Sequence, residues 1–170
     1  NYHYTDVLGS NANLWTNTGS IGKLSVGYDL RHELIRSNKL GDSLDSRIPV
    51  KGVDDVYYTL GKDRTSAGLF VEESVNIKKF SVSAGLLASY LSALPGKITF
   101  YPGLDAAYQL PNNFRIYFNA NRTLRLPTFT DLYYNDPTSK GDPNLKPEEA
   151  VTIETGLKYL VPGIISHVAI

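Results

Sequence analysis

The chain has 170 residues, and its 17 Lys and Arg balance 17 Asp and Glu, so the formal charge is zero. That balance offers nothing to nucleic acid, and the absence of cysteine excludes a disulfide framework and a thiolate metal site. No stretch of about eighteen apolar residues occurs, which excludes a transmembrane helix but not a spanning strand, where only every second residue need be apolar.

Twelve Tyr beside six Phe and one Trp suit strands and membrane interfaces. No signal peptide is expected within these residues. The chain opens on Asn1 and stops at Ile170 inside an apolar run, so both ends read as cut and a longer parent protein is expected.

In chain order, Ala12 to Thr16 predicts a short strand, with a turn over Asn17, Thr18, Gly19 and Ser20. From Leu24 the period is two. Leu24, Val26, Tyr28, Leu30, His32 and Leu34 fall on one face, and Ser25, Gly27, Asp29, Arg31 and Glu33 on the other. A helix would scatter these charges around its circumference, whereas a strand separates them.

Residues 39–65 read as a long connection. Ala67 to Ile77 and Phe80 to Tyr90 then predict a hairpin across Lys78-Lys79, although Lys-Lys is not favoured turn chemistry. Glu73 falls among the apolar positions Leu69, Val71, Val75 and Ile77, which the sequence does not explain. Ile98 to Leu110 and Phe114 to Arg125 form the next pair, joined by Pro111-Asn112-Asn113. Pro102 weakens the ladder of the first member.

Residues 126–147 predict a second long loop, and 91–97 a further one. Ala150 to Leu160 and Ile164 onward complete the pattern across Val161-Pro162-Gly163. The expected fold class is all-β, an antiparallel meander of about eight strands. Short connections (17–21, 78–79, 111–113, 162–163) alternate with long ones, the layout of an outer-membrane barrel.

Catalytic signatures are missing. His3, His32 and His167 lack metal-ligand spacing with carboxylates, and neither a nucleophile elbow nor a phosphate-binding glycine loop occurs. No enzyme activity and no cofactor are expected. Asp42, Asp45, Asp54 and Asp55 could be read as oxygen ligands for calcium, but their spacing fits a solvated loop better.

The set Asp29, Arg31, Glu33, Asp105, Arg115 and Glu154 would line a wet barrel lumen, where a role in strand register is favoured over substrate contact. Tyr133, Tyr134 and Asn135 suit recognition of a planar or amphipathic ligand. The two tyrosines suit an interface belt equally well.

The words R-x-P-T-F-x-D-L-Y-Y (from Arg125), N-L-K-P-E (from Asn144) and E-T-G (from Glu154) resemble the late barrel of TonB-dependent outer-membrane receptors. Arg125, Pro127, Phe129, Leu132, Tyr133, Asn144, Leu145, Pro147, Glu148, Glu154 and Gly156 carry that match. Arg31, Glu33, Ser37, Leu40, Gly41 and Gly68 to Glu73 resemble mid-barrel strands, closest to the vitamin B12 (cobalamin) receptor branch. The N-L-K-P-E word marks the family and not the cargo. In it, Asn144 is expected to bond its own backbone in a tight turn.

The resemblance implies that residues 1–170 are part of a roughly 22-stranded barrel with a plugged lumen. It implies a bacterial outer-membrane location among lipid, and active transport energised through TonB. It implies a plug domain in the same full-length chain and a corrinoid or siderophore ligand, with no nucleic-acid partner. Plug and TonB-docking motifs are not in this sequence. Two other readings stay open: a small closed eight-stranded outer-membrane protein of structural or adhesive role, and a soluble β-sandwich binding module.

Overall fold

The computed structural model describes residues 1–93, 98–136 and 138–170, with the side chain of Asp136 left aside. The elements are β1 (His3–Thr18), β2 (Gly22–Ser37), β3 (Asp42–Pro49), β4 (Tyr57–Ile77), β5 (Phe80–Leu91), β6 (Ile98–Gln109), β7 (Phe114–Arg125), α1 (Phe129–Tyr133), β8 (Asn135–Asp136), β9 (Ser139–Lys140), β10 (Glu148–Val161) and β11 (Ile164–Ala169).

Eight of these strands lie side by side in the order β1-β2-β4-β5-β6-β7-β10-β11, with β3 attached to β4. Every pairing is antiparallel. The expected eight-strand meander is therefore present. The sheet is open, with β1 and β11 as its two edges, so a closed eight-stranded barrel does not form. Nor, among the described residues, does a second sheet cover the apolar face, as a sandwich would require.

Three expected boundaries move. β1 is much longer than Ala12 to Thr16, because β2 offers it a ladder from His3↔Ser37 to Thr18↔Gly22. The connection 39–65 is mostly strand. It holds β3 and the first part of β4, whose residues show no sustained apolar alternation. The loop 126–147 contains α1 and the small β8–β9 hairpin. Of the connection 91–97, residues 94–97 lie outside the described residues.

The register sorts the faces as the periodicity predicts. Val26↔Val71, Tyr28↔Leu69 and Leu30↔Ala67 join across β2 and β4, and Val71↔Leu86 and Leu69↔Ala88 continue into β5. These apolar side chains are exposed, Leu69 to 59%. Phe80, Tyr108, Phe114 and Tyr159 stand on this face at the short-turn end. Their rings pair at 4.5 Å (Phe80–Tyr108) and 4.9 Å (Phe114–Tyr159). Paired rings at one end of an apolar face have the layout of the aromatic girdle of outer-membrane barrels. Phe80 and Tyr90 lie on the same face of β5, spanning about 33 Å along the strand. At a tilt of about 40° this is about 25 Å of height, the apolar band of such barrels.

Glu73 now has an explanation. It sits on the apolar face only two register positions from the end of the β2–β4 ladder, and the Thr18 hydroxyl at the β1–β2 turn donates to its carboxylate. The acid is at the rim, where water and a donor are at hand. Turn chemistry follows the residues too: Asn112 and Asn113 take φ of 59° and 65°, and Lys78 takes 55°. Asn tolerates that region at little cost, whereas Lys does not.

Pro102 shapes one seam. The β5–β6 ladder runs on through Leu86↔Pro102 to Tyr90↔Ile98, but the β6–β7 ladder stops at Gly103↔Asn121. Proline has no N–H to give the second neighbour.

Two free edges carrying unpaired backbone groups, beside a bare apolar face, invite association. The isolated 170-residue chain is expected to self-associate without detergent. A detergent-free monomer by light scattering would contradict that expectation.

Candidate functional site

The buried residues gather on the polar face at the long-loop end, above the apolar band. Ser37, fully buried, ends β2 by accepting the backbone N–H groups of Lys39 and Leu40, both at 2.8 Å, while His3 Nδ1 lies 2.8 Å from its hydroxyl. This turn aims Leu40 inward. Gly41 permits it with φ of 108°, and a Cβ there would stand 2.5 Å from the Gly61 carbonyl oxygen. Leu40, Ile35 and Phe129 form a core cluster against which Tyr133 and Tyr134 pack.

Phe129 reaches the cluster because the chain after β7 folds back as α1. Thr128 caps this helix. Its hydroxyl accepts the Asp131 N–H at 3.1 Å, and the Asp131 carboxylate accepts the Thr128 N–H at 2.8 Å. The Thr128 backbone N–H first, and the Thr128 hydroxyl second, hold the Asp131 carboxyl below its usual pKa. The T-x-x-D spacing before Leu132-Tyr133 was a readable capping signal inside what looked like a structureless loop.

One residue that sequence reasoning missed joins the wall to the loop. Arg64, on β4 directly opposite Glu33, donates from Nε to the Glu33 carboxylate. Its Nη1 donates to the Pro127 carbonyl at 2.6 Å, and its guanidinium lies 4.6 Å from the Phe129 ring centre. Glu33 takes a second bond from Arg31 at 2.7 Å. The Arg64 and Glu33 side chains are 13% and 12% exposed. Breaking such a buried pair on one side costs about 3–5 kcal/mol, because the other charge is left uncompensated. No sequence spacing could have found Arg64, since its partners lie 31 and 63 residues away.

These elements wall a cleft of about 660 Å³. Lys62 and Arg64 come from β4, Phe129, Leu132 and Tyr133 from α1, and Asn144 to Pro147 from the approach to β10. Lys62 is tied to Asp42 at 2.6 Å and stands 5.5 Å from the Tyr133 ring centre. Tyr134 lines a separate hollow behind α1, and Asn135 is exposed on the β8–β9 hairpin. The three residues of the candidate ligand loop thus diverge, and Tyr133 alone of them faces the cleft. Both tyrosines pack on the polar side, away from the apolar face.

The six predicted lumen charges share the polar face but separate along it. Arg31 and Glu33 join Arg64 near the long loops. Asp105, Arg115 and Glu154 line a hollow of about 580 Å³ near the short turns, where Asn119 reaches Glu154 at 3.5 Å. Asp29 is exposed between Asn11 and Gly68.

Among the signature residues, Arg125 meets Glu148 at 3.5 Å and Asp131 at 3.8 Å, all substantially exposed. Gly156 lies under the Tyr117 ring, where a Cβ would come within 2.6 Å. The tight turn before β10 is made by Asp142, whose carboxylate accepts the Asn144 backbone N–H at 2.9 Å and its side-chain amide at 3.1 Å. Asn144 is therefore the donor in this turn, and the expectation that it bonds its own backbone is corrected. Asp has the free lone pairs, and it precedes the turn by the two residues such a bond spans. Of the four aspartates read for calcium, Asp42 is engaged by Lys62, and no group of three or more His, Asp or Glu among the described residues could hold a metal ion.

A water-soluble sheet would have to cover its apolar face. This one leaves it bare over about 25 Å, the height of the apolar band of an outer-membrane barrel wall. Comparison supplies the family. Residues 1–166 match the model described as "TonB dependent receptor-like, beta-barrel", and the chain belongs to that family.

A 54-residue stretch, 32% of this chain and 8% of the relative, is 41% identical to the vitamin B12 transporter BtuB of Photobacterium profundum. The fold matches 98% of this chain to the siderophore receptor PirA of Pseudomonas aeruginosa, with a TM-score of 0.76, 16% identity and 31% of that chain covered. It matches a mutant form of the ferric enterobactin receptor PfeA of the same organism with a TM-score of 0.75, 13% identity, 98% of this chain and 26% of that one. The FrpB iron transporter of Neisseria meningitidis gives 0.69 at 17% identity, 98% of this chain and 28% of that one. The chain thus spans about a quarter to a third of these solved receptors.

Proposed function

We propose that this chain is one section of the barrel of a bacterial outer-membrane receptor that takes up a scarce, bulky nutrient, with energy delivered through TonB. The nutrient is a corrinoid or an iron–siderophore chelate. The corrinoid comes first, because the sequence likeness is to a vitamin B12 transporter whereas the siderophore receptors share only the fold. In this reading the remaining barrel strands pair with β1 and β11. A plug domain of the same full-length protein fills the lumen against Asp29, Asp105, Arg115 and Glu154 and carries the TonB contact.

The observation that carries the reading is the cleft of about 660 Å³ on the inner face at the long-loop end. It is aromatic on one wall and cationic on another, large enough to seat part of a bulky amphipathic ligand. The family-signature residues Pro127, Phe129, Leu132, Tyr133, Asn144, Leu145 and Pro147 all line it.

The test is calorimetric titration of the full-length receptor in detergent with cyanocobalamin and with a panel of ferric siderophores. One class is expected to bind, and Tyr133→Ala is expected to weaken it by about tenfold, or about 1.4 kcal/mol. Binding of neither class, or an unchanged affinity in Tyr133→Ala, would refute the reading.

A further inference from the structure

We propose that Arg64 is the positioning residue that fixes α1 over the inner face, and thereby sets the shape of the cleft. The cleft's part in ligand binding rests on the function proposed above; the placement of α1 does not. A helix of five residues has no stability of its own, so its position is imposed by what it touches. The Ile35–Leu40–Phe129 cluster supplies adhesion without direction. Direction comes from Arg64, which bonds the Pro127 carbonyl just ahead of the Thr128 cap and faces the ring of the first helical residue.

The Glu33 carboxylate makes this contact rigid. One of its oxygens accepts from Arg31 and the other from Arg64, so the carboxylate cannot swing. The guanidinium then has one edge held by the barrel wall and one N–H aimed at the loop. Only a planar fork serves a carboxylate, a carbonyl and a ring at once, whereas a lysine ammonium presents a single point of charge on a flexible stem.

The test uses the full-length receptor in a cysteine-free background with Asn135→Cys spin-labelled. Asn135 is exposed, two residues beyond α1. Arg64→Ala and Arg64→Lys are each expected to sharpen the label's spectrum and to weaken binding of whichever nutrient class the receptor takes by about tenfold or more. Lys158→Ala, in the hollow near the short turns at the other end of the wall, is expected to leave the spectrum unchanged. Heat-modifiable migration confirms in each case that the barrel is folded. An unchanged spectrum in Arg64→Ala, or full retention by Arg64→Lys, would overturn the proposal. The spectrum is read without ligand, so failure of all corrinoids and chelates to bind would count against the proposed function alone.

Discussion

Leu30→Asp is expected to block assembly of the receptor barrel, while Ser25→Asp is tolerated. The two residues share β2 and point to opposite faces. Leu30 stands between Ser10 and Ala67 on the apolar side near mid-strand, and is 45% exposed toward what the barrel presents to lipid. A charge on the lipid face costs roughly 2–4 kcal/mol for Arg or Lys at the midplane, less toward the rim and less again for Asp; Leu30, in register with Ala67 and Tyr90, lies in the long-loop half of the band, and Leu30→Arg is the harsher variant. Ser25 lies between Trp15 and Glu72 on the polar side. An acid there meets water, and its worst neighbour is Glu72, a cross-strand repulsion of roughly 0.2–1 kcal/mol. The yield of heat-modifiable barrel in outer-membrane fractions reads both. Equal losses would mean that the two faces are assigned wrongly.

The second large effect is expected at Gly41. Its φ of 108° is one that L side chains rarely adopt, and a Cβ would stand 2.5, 2.6 and 3.0 Å from the carbonyl oxygen, carbonyl carbon and Cα of Gly61. All three are backbone atoms, so nothing flexible can give way. The dihedral strain alone is about 1–3 kcal/mol, before the overlap is relieved by pushing the start of β3 away from β4. Gly41→Ala is therefore expected to lower the unfolding midpoint of the detergent-solubilised receptor by several degrees and to unseat Leu40 from Phe129. By contrast, Gly52, also at positive φ, has no atom within 4 Å of its Cβ position. Gly52→Ala should cost only the dihedral term, and a Gly41→Ala midpoint no lower than that of Gly52→Ala would remove the steric argument.

What the sequence reveals here is whatever the bilayer imposes. Inside the apolar band every second side chain must be apolar, so β2, β5, β6 and β7 announce themselves by alternation and their faces can be assigned residue by residue. Outside the band that constraint disappears. β3 and the first part of β4 are strands held by backbone ladders there, and residues such as Asp42 and Asp63 carry no periodic signal; β1, paired along the whole of β2, alternates only weakly because Ser10 and Thr16 stand among its apolar-side positions. The cleft sits in this silent zone. Its signature residues were visible as words, but their meeting was not, because Glu33, Arg64 and Pro127 converge from three distant segments. The capping pair Thr128 and Asp131 was local and legible, and it marked the one place where the loop takes up helix.

Pro102 gives the wall a mechanical character. Above Gly103 the strands β6 and β7 share no ladder. There they are linked through side chains: Arg122 over the Tyr101 ring at 5.4 Å and onto Glu149 at 2.6 Å, with the Tyr101 hydroxyl donating to the same carboxylate at 3.2 Å. A backbone ladder resists shear at every residue, while the contacts centred on Arg122, its bond to the Phe100 carbonyl included, resist it at one point. Compliance is therefore concentrated in a vertical slit at the outer rim, and the panel beside it, β7 with β10, is the one from which the 126–147 loop springs.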